Sequence, residues 1–371
     1  MKKIKIVDYF MLIVLIIKSM LHYSAFFQLP SIVENIIELV AYVCWFLTLL
    51  SKNYSKKKFL LIFIVGILIM WSSYKCKNYI LVSSFMLFCL TMFSNQEKIV
   101  KIMFKTMVTI LALYFVYFLF TYFTGTVAVV ADTSGRIRYN LGFSNPNIVS
   151  YYILWSYIAY LYLSPPSTFF KKVITFVPVL IYFLLTKSNT LLIMSLFSLV
   201  IFSLKDNKFN NYMITLGCKY LFFAISVFLV ISINLYKSGA GLGKKINDIL
   251  NDRIYYSYIA HENYGYTLFG QTVNLDLNLE REYSYMSKSV ILDVTYSNLM
   301  FRYGLVYILI FMMLCKSIAL NGSYNEKKSI IIWTIFAISE VVSLNFLICF
   351  PMIFAAKYTL KEGEKNDKEN Y

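Results

Sequence analysis

Residues 100–123, VKIMFKTMVTILALYFVYFLFTYF, are apolar almost throughout, and they are long enough to cross a hydrocarbon core as one helix. A polar stretch at 132–150, DTSGRIRYNLGFSNPNIVS, opens onto the next apolar run. The same alternation recurs along the chain. Runs at roughly 6–21, 30–50, 58–74, 79–94, 100–123, 146–163, 170–186, 188–204, 212–234, 292–316, 329–344 and 346–358 give about twelve spans by the length rule. The last two are short and close together, and a re-entrant or broken element would fit them equally well. The expected fold is all-α, a polytopic transmembrane helical bundle over 1–356, with a polar cytoplasmic tail at 357–371.

Composition agrees. The chain has 371 residues, 59% of them hydrophobic, 18% aromatic and 15% charged. A soluble domain of this size cannot bury that much apolar surface. The net charge of +16 is spread over short loops rather than gathered on one face. It therefore speaks for membrane topology and against nucleic acid. Of the six cysteines, five lie in apolar runs and none shows CxxC spacing, so neither a disulfide framework nor a zinc site is expected. No cleavable leader is expected either: the first apolar run reads as a retained span.

Basic residues mark alternate loops. Lys2, Lys3 and Lys5 precede span 1, and Lys56 to Lys58 follow span 2. Lys98 and Lys101 follow span 4, Lys171 and Lys172 span 6, Lys205 and Lys208 span 8, and Lys316, Lys327 and Lys328 span 10. Both termini are thus expected in the cytoplasm. Lys75 and Lys77, after span 3, run against this pattern. The stretch 132–150 falls on the outer side, so Arg136 and Arg138 run against it too. The one long loop, about 235–290, is also external. Loops of that length are usually functional or disordered, and its Tyr, Leu and Ile content argues for structure.

Several residues carry candidate chemistry. Asn145 is a good N-cap and Pro146 suits the first helical position, so Asn145-Pro146-Asn147 starts a helix. Within the long loop Ile246 to Ala260 reads as an amphipathic helix, with Arg253 at the centre of its apolar face. That arginine either snorkels or pairs with an acid, or it contacts substrate. His261 lies at the edge of the same helix, as a surface residue or a base. With only two histidines in the chain, a His-based metal site is not expected, and no metal or cofactor is implied. Asp293 and Tyr296, three apart, share a face at the outer mouth. Arg302 lies deeper, and snorkelling accounts for it. Glu340 falls inside the eleventh run, where an acid must pair or face water.

Taken together, the chain resembles the Wzy family of O-antigen and capsular polysaccharide polymerases. Arg138-Tyr139-Asn140-Leu141-Gly142-Phe143-Ser144-Asn145-Pro146-Asn147 is similar to the family's arginine, Gly-Phe and Asn-Pro-Asn signature. Leu185-Thr186-Lys187-Ser188-Asn189-Thr190 resembles its Ser-Arg-Thr turn, with Asn189 where arginine is usual and Lys187 as the substitute cation. Asn251-Asp252-Arg253-Ile254, then Tyr264-Gly265 and Leu268-Phe269-Gly270, resemble its large loop. Asp293, Tyr296, Arg302-Tyr303-Gly304 and Ser339-Glu340 resemble the family's segments C-terminal to that loop. The first 100 residues carry no signature.

The resemblance implies glycosyl transfer on the external face of the bacterial cytoplasmic membrane. Donor and acceptor would be undecaprenyl-diphosphate-linked oligosaccharides, lipid of the membrane would surround the site, and a chain-length regulator is an optional partner. Arg138, Arg253 and Glu340 would be catalytic. Arg136, Asn145, Asn147, Lys187, His261, Asp293 and Tyr296 would bind substrate. An O-antigen ligase-like transferase and a flippase of lipid-linked oligosaccharide are the alternatives. A flippase would carry charge deep along a central path and have short loops, whereas here the middle of the spans is nearly free of charge.

Overall fold

The computed structural model describes residues 6–26, 29–50, 56–92, 94–126, 129–131, 137–273 and 292–359, with the backbone alone at 56–58, 129–131 and 359. Arg136, residues 274–290 of the long loop and most of the polar tail lie outside the described residues. Apart from one short hairpin the chain is helical, and it forms two compact units: Met1–Asn53 with Cys89–Asn210, and Tyr54–Phe88 with Asn211–Tyr371.

The first unit contains α1 (Ile6–His22), α2 (Ser31–Leu50), α5 (Gln96–Phe123), the hairpin β1 (Val129–Ala131) and β2 (Ile137–Tyr139), α6 (Pro146–Leu163), α7 (Phe169–Thr186) and α8 (Asn189–Ser203). Local chemistry sets the helix starts. Asn95, Asn145, Thr168 and Ser188 each sit in extended backbone, and each accepts a backbone N–H of the first turn with its side chain. At one end of this unit the segment after α1 is stitched to the approach to α6: Ala25 N donates to Gly142 O at 2.8 Å, and Ser144 N to Tyr23 O at 2.8 Å. The starts of α5 and α7, with Lys98, Lys171 and Lys172, lie at the opposite ends of those helices.

The second unit contains α3 (Lys56–Cys76), α4 (Ile80–Thr91, whose last residues fall in the first unit), α9 (Lys208–Lys237), α10 (Gly241–Ile249), α11 (Arg253–Tyr264), α12 (Thr295–Ser297), α13 (Leu305–Asn321), α14 (Tyr324–Phe336) and α15 (Phe350–Thr359). A π-helical turn, Asn298–Tyr303, continues α12, and a 3-10 turn spans Val341–Leu344. Its core is an aromatic stack in which Phe311 and Trp333 lie 5.4 Å apart and nearly parallel, with Phe222 against both. One end is laced by Tyr303 Oη to Asn78 Oδ1 (2.8 Å), Thr272 Oγ1 to Lys75 O (2.6 Å) and Ser72 Oγ to Phe269 O (2.7 Å). At the other, Tyr358 Oη donates to Glu326 Oε2 (2.6 Å) and Lys327 Nζ to Thr215 Oγ1 (3.0 Å).

Among the described residues, five helical stretches are long and apolar enough to cross a membrane: Ser31–Leu50, Phe59–Cys76, Gln96–Phe123, Phe169–Thr186 and Lys208–Lys237. Only 11% of the Phe169–Thr186 window is buried, and beyond its first turn the large exposed side chains are Val, Ile and Leu. Such a face belongs in lipid. Of the remaining expected spans, 6–21 and 146–163 form as the single helices α1 and α6, and the others are shorter, shifted or interrupted. The run 292–316 does not form one helix, because Gly304 takes φ +106° and separates the π turn from α13. The run 329–344 starts earlier than expected, at a capping box built by Ser323 and Glu326, and its helix ends at Phe336.

Candidate functional site

In the first unit the site is built around Arg138. β2 pairs it with Val130 of β1. The half-buried guanidinium donates from Nε to Thr186 O at 2.8 Å and from Nη2 to Asn147 Oδ1 at 2.6 Å. Asn145 caps α6 by accepting Asn147 N at 2.8 Å. The cap therefore fixes Asn147, and Asn147 fixes Arg138. Asn145 and Asn147 hold the arginine in place, which differs from the direct substrate contacts expected of them. Thr186 is itself pinned, because its hydroxyl donates to Tyr182 O (2.8 Å) and accepts from Ser150 Oγ (3.1 Å). Lys187 follows as the left-handed C-cap of α7, with an exposed side chain. Arg136 lies outside the described residues.

A second cluster at the same end of this unit was not singled out in the sequence. Lys18 Nζ lies 2.7 Å from Glu38 Oε1 and 3.6 Å from Glu34 Oε2, and His22 Nδ1 lies 2.9 Å from Glu34 Oε2. The signal was there: Glu34 and Glu38 are four apart in an apolar run, and Lys18 sits in another. The cluster ties α1 to α2 next to Tyr23, whose carbonyl anchors Ser144.

In the second unit the site forms around Arg253. Ile246 to Ala260 does not make one helix. Asn251 and Asp252 both take left-handed backbone (φ 50° and 64°), which ends α10 and starts α11 at Arg253. Polar side chains of the kind that tolerate this conformation stand at the break. Buried Asn247 stabilises it, donating to Asp252 Oδ1 (2.8 Å) and accepting Tyr255 N (2.8 Å). The break turns the expected apolar face apart: Ile249 is 77% exposed, while Ser257 and Ala260 are buried.

Arg253 donates from Nη1 to Leu250 O at 3.2 Å, and its Nη2 lies 3.8 Å from Glu340 Oε1. Its Nε is shut off from solvent and has no hydrogen-bond partner. Glu340 is not inside a helix, as the eleventh run implied. It occupies extended backbone (φ −147°) between the end of α14 and the 3-10 turn, and it is 8% exposed. Two contacts fix that backbone: Thr295 Oγ1 donates to Glu340 O at 2.6 Å, and the same hydroxyl bonds the Ser343 hydroxyl. Ser257 donates to Arg253 O (2.8 Å) and lies 2.6 Å from Ser297 Oγ, which joins α11 to the segment that carries Thr295.

Asp293, half-buried just before α12, completes the cluster. Burial pushes its carboxyl above the usual aspartate range, and the Arg253 charge works against that rise. One guanidinium thus serves two acids. Tyr296 departs from expectation. It does not share an open face with Asp293: its side chain is wholly buried against Phe222, and its hydroxyl donates to Thr334 O at 2.9 Å. That ring is part of the core and leaves nothing to offer a ligand. His261 is half-buried, with its ring edge-on to Tyr266 and Nδ1 3.6 Å from Glu262 Oε1. Glu262 is held below the usual glutamate range chiefly by its hydrogen bond with Lys237.

Chemically, the Arg138 and Arg253 clusters each present a fixed guanidinium, the donor geometry that suits a phosphate. The Arg253 cluster adds two carboxyls, one of them biased toward its neutral form. Comparison of the chain with protein-family models, with curated proteins and with solved structures returns no match.

Proposed function

We propose that the chain is a membrane glycosyltransferase of the Wzy type, which polymerises undecaprenyl-diphosphate-linked oligosaccharide repeats on the external face of the cytoplasmic membrane. One observation carries the reading: Arg253 is only partly satisfied, with Nε unpartnered, and it stands with Glu340 and Asp293. A structural arginine would have its donors filled. This one is held ready for an anion, beside groups able to take a proton.

In the proposed reaction a hydroxyl at the non-reducing end of the acceptor attacks the anomeric carbon of the donor. The new glycosidic C–O bond forms as the bond to the lipid diphosphate breaks, and the diphosphate leaves with the electron pair. The configuration inverts. The hydroxyl proton passes to a carboxylate, Asp293 or Glu340. Arg253 stabilises charge developing on the diphosphate. In the other unit Arg138 offers a separate guanidinium for an anionic group, its orientation fixed by Asn147 and Thr186. The multispanning character of the chain supports the membrane setting.

The test is chain extension. Purified protein given a lipid-linked repeat unit is expected to make longer chains in the presence of a metal chelator. Extension that only divalent metal restores would remove the arginine mechanism. In cells, loss of the protein is expected to leave single lipid-linked repeats on the outer face. Repeats trapped on the inner face would replace this reading with a flippase.

A further inference from the structure

Arg302 belongs to neither cluster, and nothing among the described residues neutralises it. It lies in the π turn, half-buried, with Nε closed off from solvent and without a hydrogen-bond partner. No carboxylate of the described residues lies within ion-pair distance of it. Only its backbone is engaged: Arg302 O accepts Gln271 N at 2.9 Å. The Nε held this way forgoes hydration without a protein partner to compensate, which is costly unless a ligand completes it.

Its neighbourhood is unusual for the side it occupies. The next residue, Tyr303, bonds Asn78, so the turn after α3 lies against the π turn. Lys75 O is gripped by Thr272. Lys75 and Lys77 are both exposed, and both run against the loop-charge pattern. Lys77 even holds a left-handed backbone (φ 51°). Around them Trp71, Tyr74 and Tyr79 are exposed at 52%, 69% and 53%, the belt expected where a helix leaves the hydrocarbon. Lys75 Nζ sits 5.2 Å from the Trp71 ring centroid.

The geometry points to a phosphate-binding site at the end of α3, in which Arg302 holds a lipid phosphate and Lys75 and Lys77 flank it. The ligand class is a lipid bearing an anionic phosphate headgroup, either a resident phospholipid or the head of a polyprenyl diphosphate. The aromatic belt sets the headgroup at the height of the guanidinium. Only the choice of leaflet rests on the proposed function. The site itself does not.

Binding tests it without any oligosaccharide. The full chain, purified in detergent, is titrated with phosphatidylglycerol, with phosphatidylcholine and with polyprenyl diphosphate, and bound lipid is read by native mass spectrometry. Wild type is expected to retain an anionic lipid over phosphatidylcholine. Arg302→Gln and the double variant Lys75→Gln/Lys77→Gln are each expected to weaken it by about tenfold, the scale of losing a charge-assisted contact. Lys171→Gln/Lys172→Gln, at another helix end, is expected to leave binding unchanged. Loss confined to phosphatidylglycerol identifies a resident lipid, and loss confined to polyprenyl diphosphate identifies substrate. Unchanged binding of both lipids in both variants overturns the site and makes Arg302 an internal partner of the chain. If Arg302→Gln does not fold, the lysine pair decides alone: weaker binding sustains the site and unchanged binding overturns it. A chain that binds lipid but never extends an oligosaccharide would sink the polymerase and leave this site standing.

Discussion

Arg253 Nη2 lies 3.8 Å from Glu340 Oε1, with the two side chains 18% and 11% exposed. The distance is long for an ion pair, and Arg253 Nε is unpartnered. The pair is therefore an unequal one. Removing the arginine takes a counter-charge from a buried carboxylate, whereas neutralising the acid leaves the arginine its bond to Leu250 O. Arg253→Ala is expected to destabilise by about 2 kcal/mol, the scale of losing a contact to a buried charged group. Glu340→Gln is expected to leave stability nearly unchanged. Thermal melts of the two variants check this, and equal losses would show the pair to be purely structural. Chain extension is expected to fall in both.

Arg138 leads to a sharper test, because its orientation depends on two acceptors at once. Arg138→Lys keeps the charge but cannot reproduce the fork to Thr186 O and Asn147 Oδ1. A loss of at least tenfold in turnover, about 1.4 kcal/mol of transition-state stabilisation, is expected at unchanged protein level. Asn147→Ala should cost less than Asn147→Asp. The aspartate would pair with the guanidinium and cancel the charge it offers to an anionic ligand. Equal activity in these two variants would show that Arg138 is needed for folding alone.

The parts of this architecture that were legible in the sequence are those set by composition and by single residues. Long apolar runs gave the helices, and Asn145-Pro146 gave the start of α6 within one residue, because capping is local chemistry. Charges in unfavourable places marked Arg138, Arg253, Asp293 and Glu340. What was not legible depends on tertiary pairing. The β hairpin that carries Arg138 needs both strands, and 132–150 shows no alternation that would announce it. The break at Asn251-Asp252 needs Asn247, which reaches across the turn to hold two left-handed residues. Helical periodicity runs smoothly through that point and hides it. Glu340 sits in an apolar run that keeps the composition of a span while its backbone leaves the helix. Tyr296 reads as a mouth residue by spacing, and only the position of Thr334 shows that its hydroxyl is already taken.

Gly304 and Gly270 make a prediction about fold rather than chemistry. The segment 267–272 is pressed onto the start of α13, with Leu305 N donating to Thr267 O at 2.8 Å. A Cβ on Gly304 would meet Leu268 O at 2.3 Å, and one on Gly270 would meet Arg302 O at 2.6 Å. Both clashes are with backbone, and both glycines have positive φ, +106° and +89°. Gly304→Ala or Gly270→Ala is therefore expected to cost about 3 kcal/mol or more, to lower the yield of folded protein, and to expose 267–272 to protease. Gly265 has open space around its missing Cβ. Gly265→Ala should cost far less than either, since only its φ of +61° opposes the change. Comparable losses at all three would mean that backbone conformation, and not close approach, governs this joint.

Asp293 ties stability to pH in a direction opposite to the usual carboxylate. Burial raises its folded pKa above the unfolded value, against the pull of Arg253. The folded state therefore binds the proton more tightly than the unfolded chain. The stability this contributes is fully present below the unfolded pKa, and it is lost as pH rises through the folded pKa. Ordinary paired carboxylates stabilise in the reverse sense, so the comparison must be made on one residue. Asp293→Asn, a neutral isostere, is expected to melt at a higher temperature than wild type above the Asp293 pKa, with the gap closing at acidic pH. Wild type alone would show the Asp293-linked fall with rising pH. If Asp293 also takes the acceptor's proton, the same variant should abolish chain extension while gaining stability. A variant that loses stability at every pH would instead make Asp293 an ion-pair partner of Arg253, and Glu340 would then be the remaining candidate for the proton.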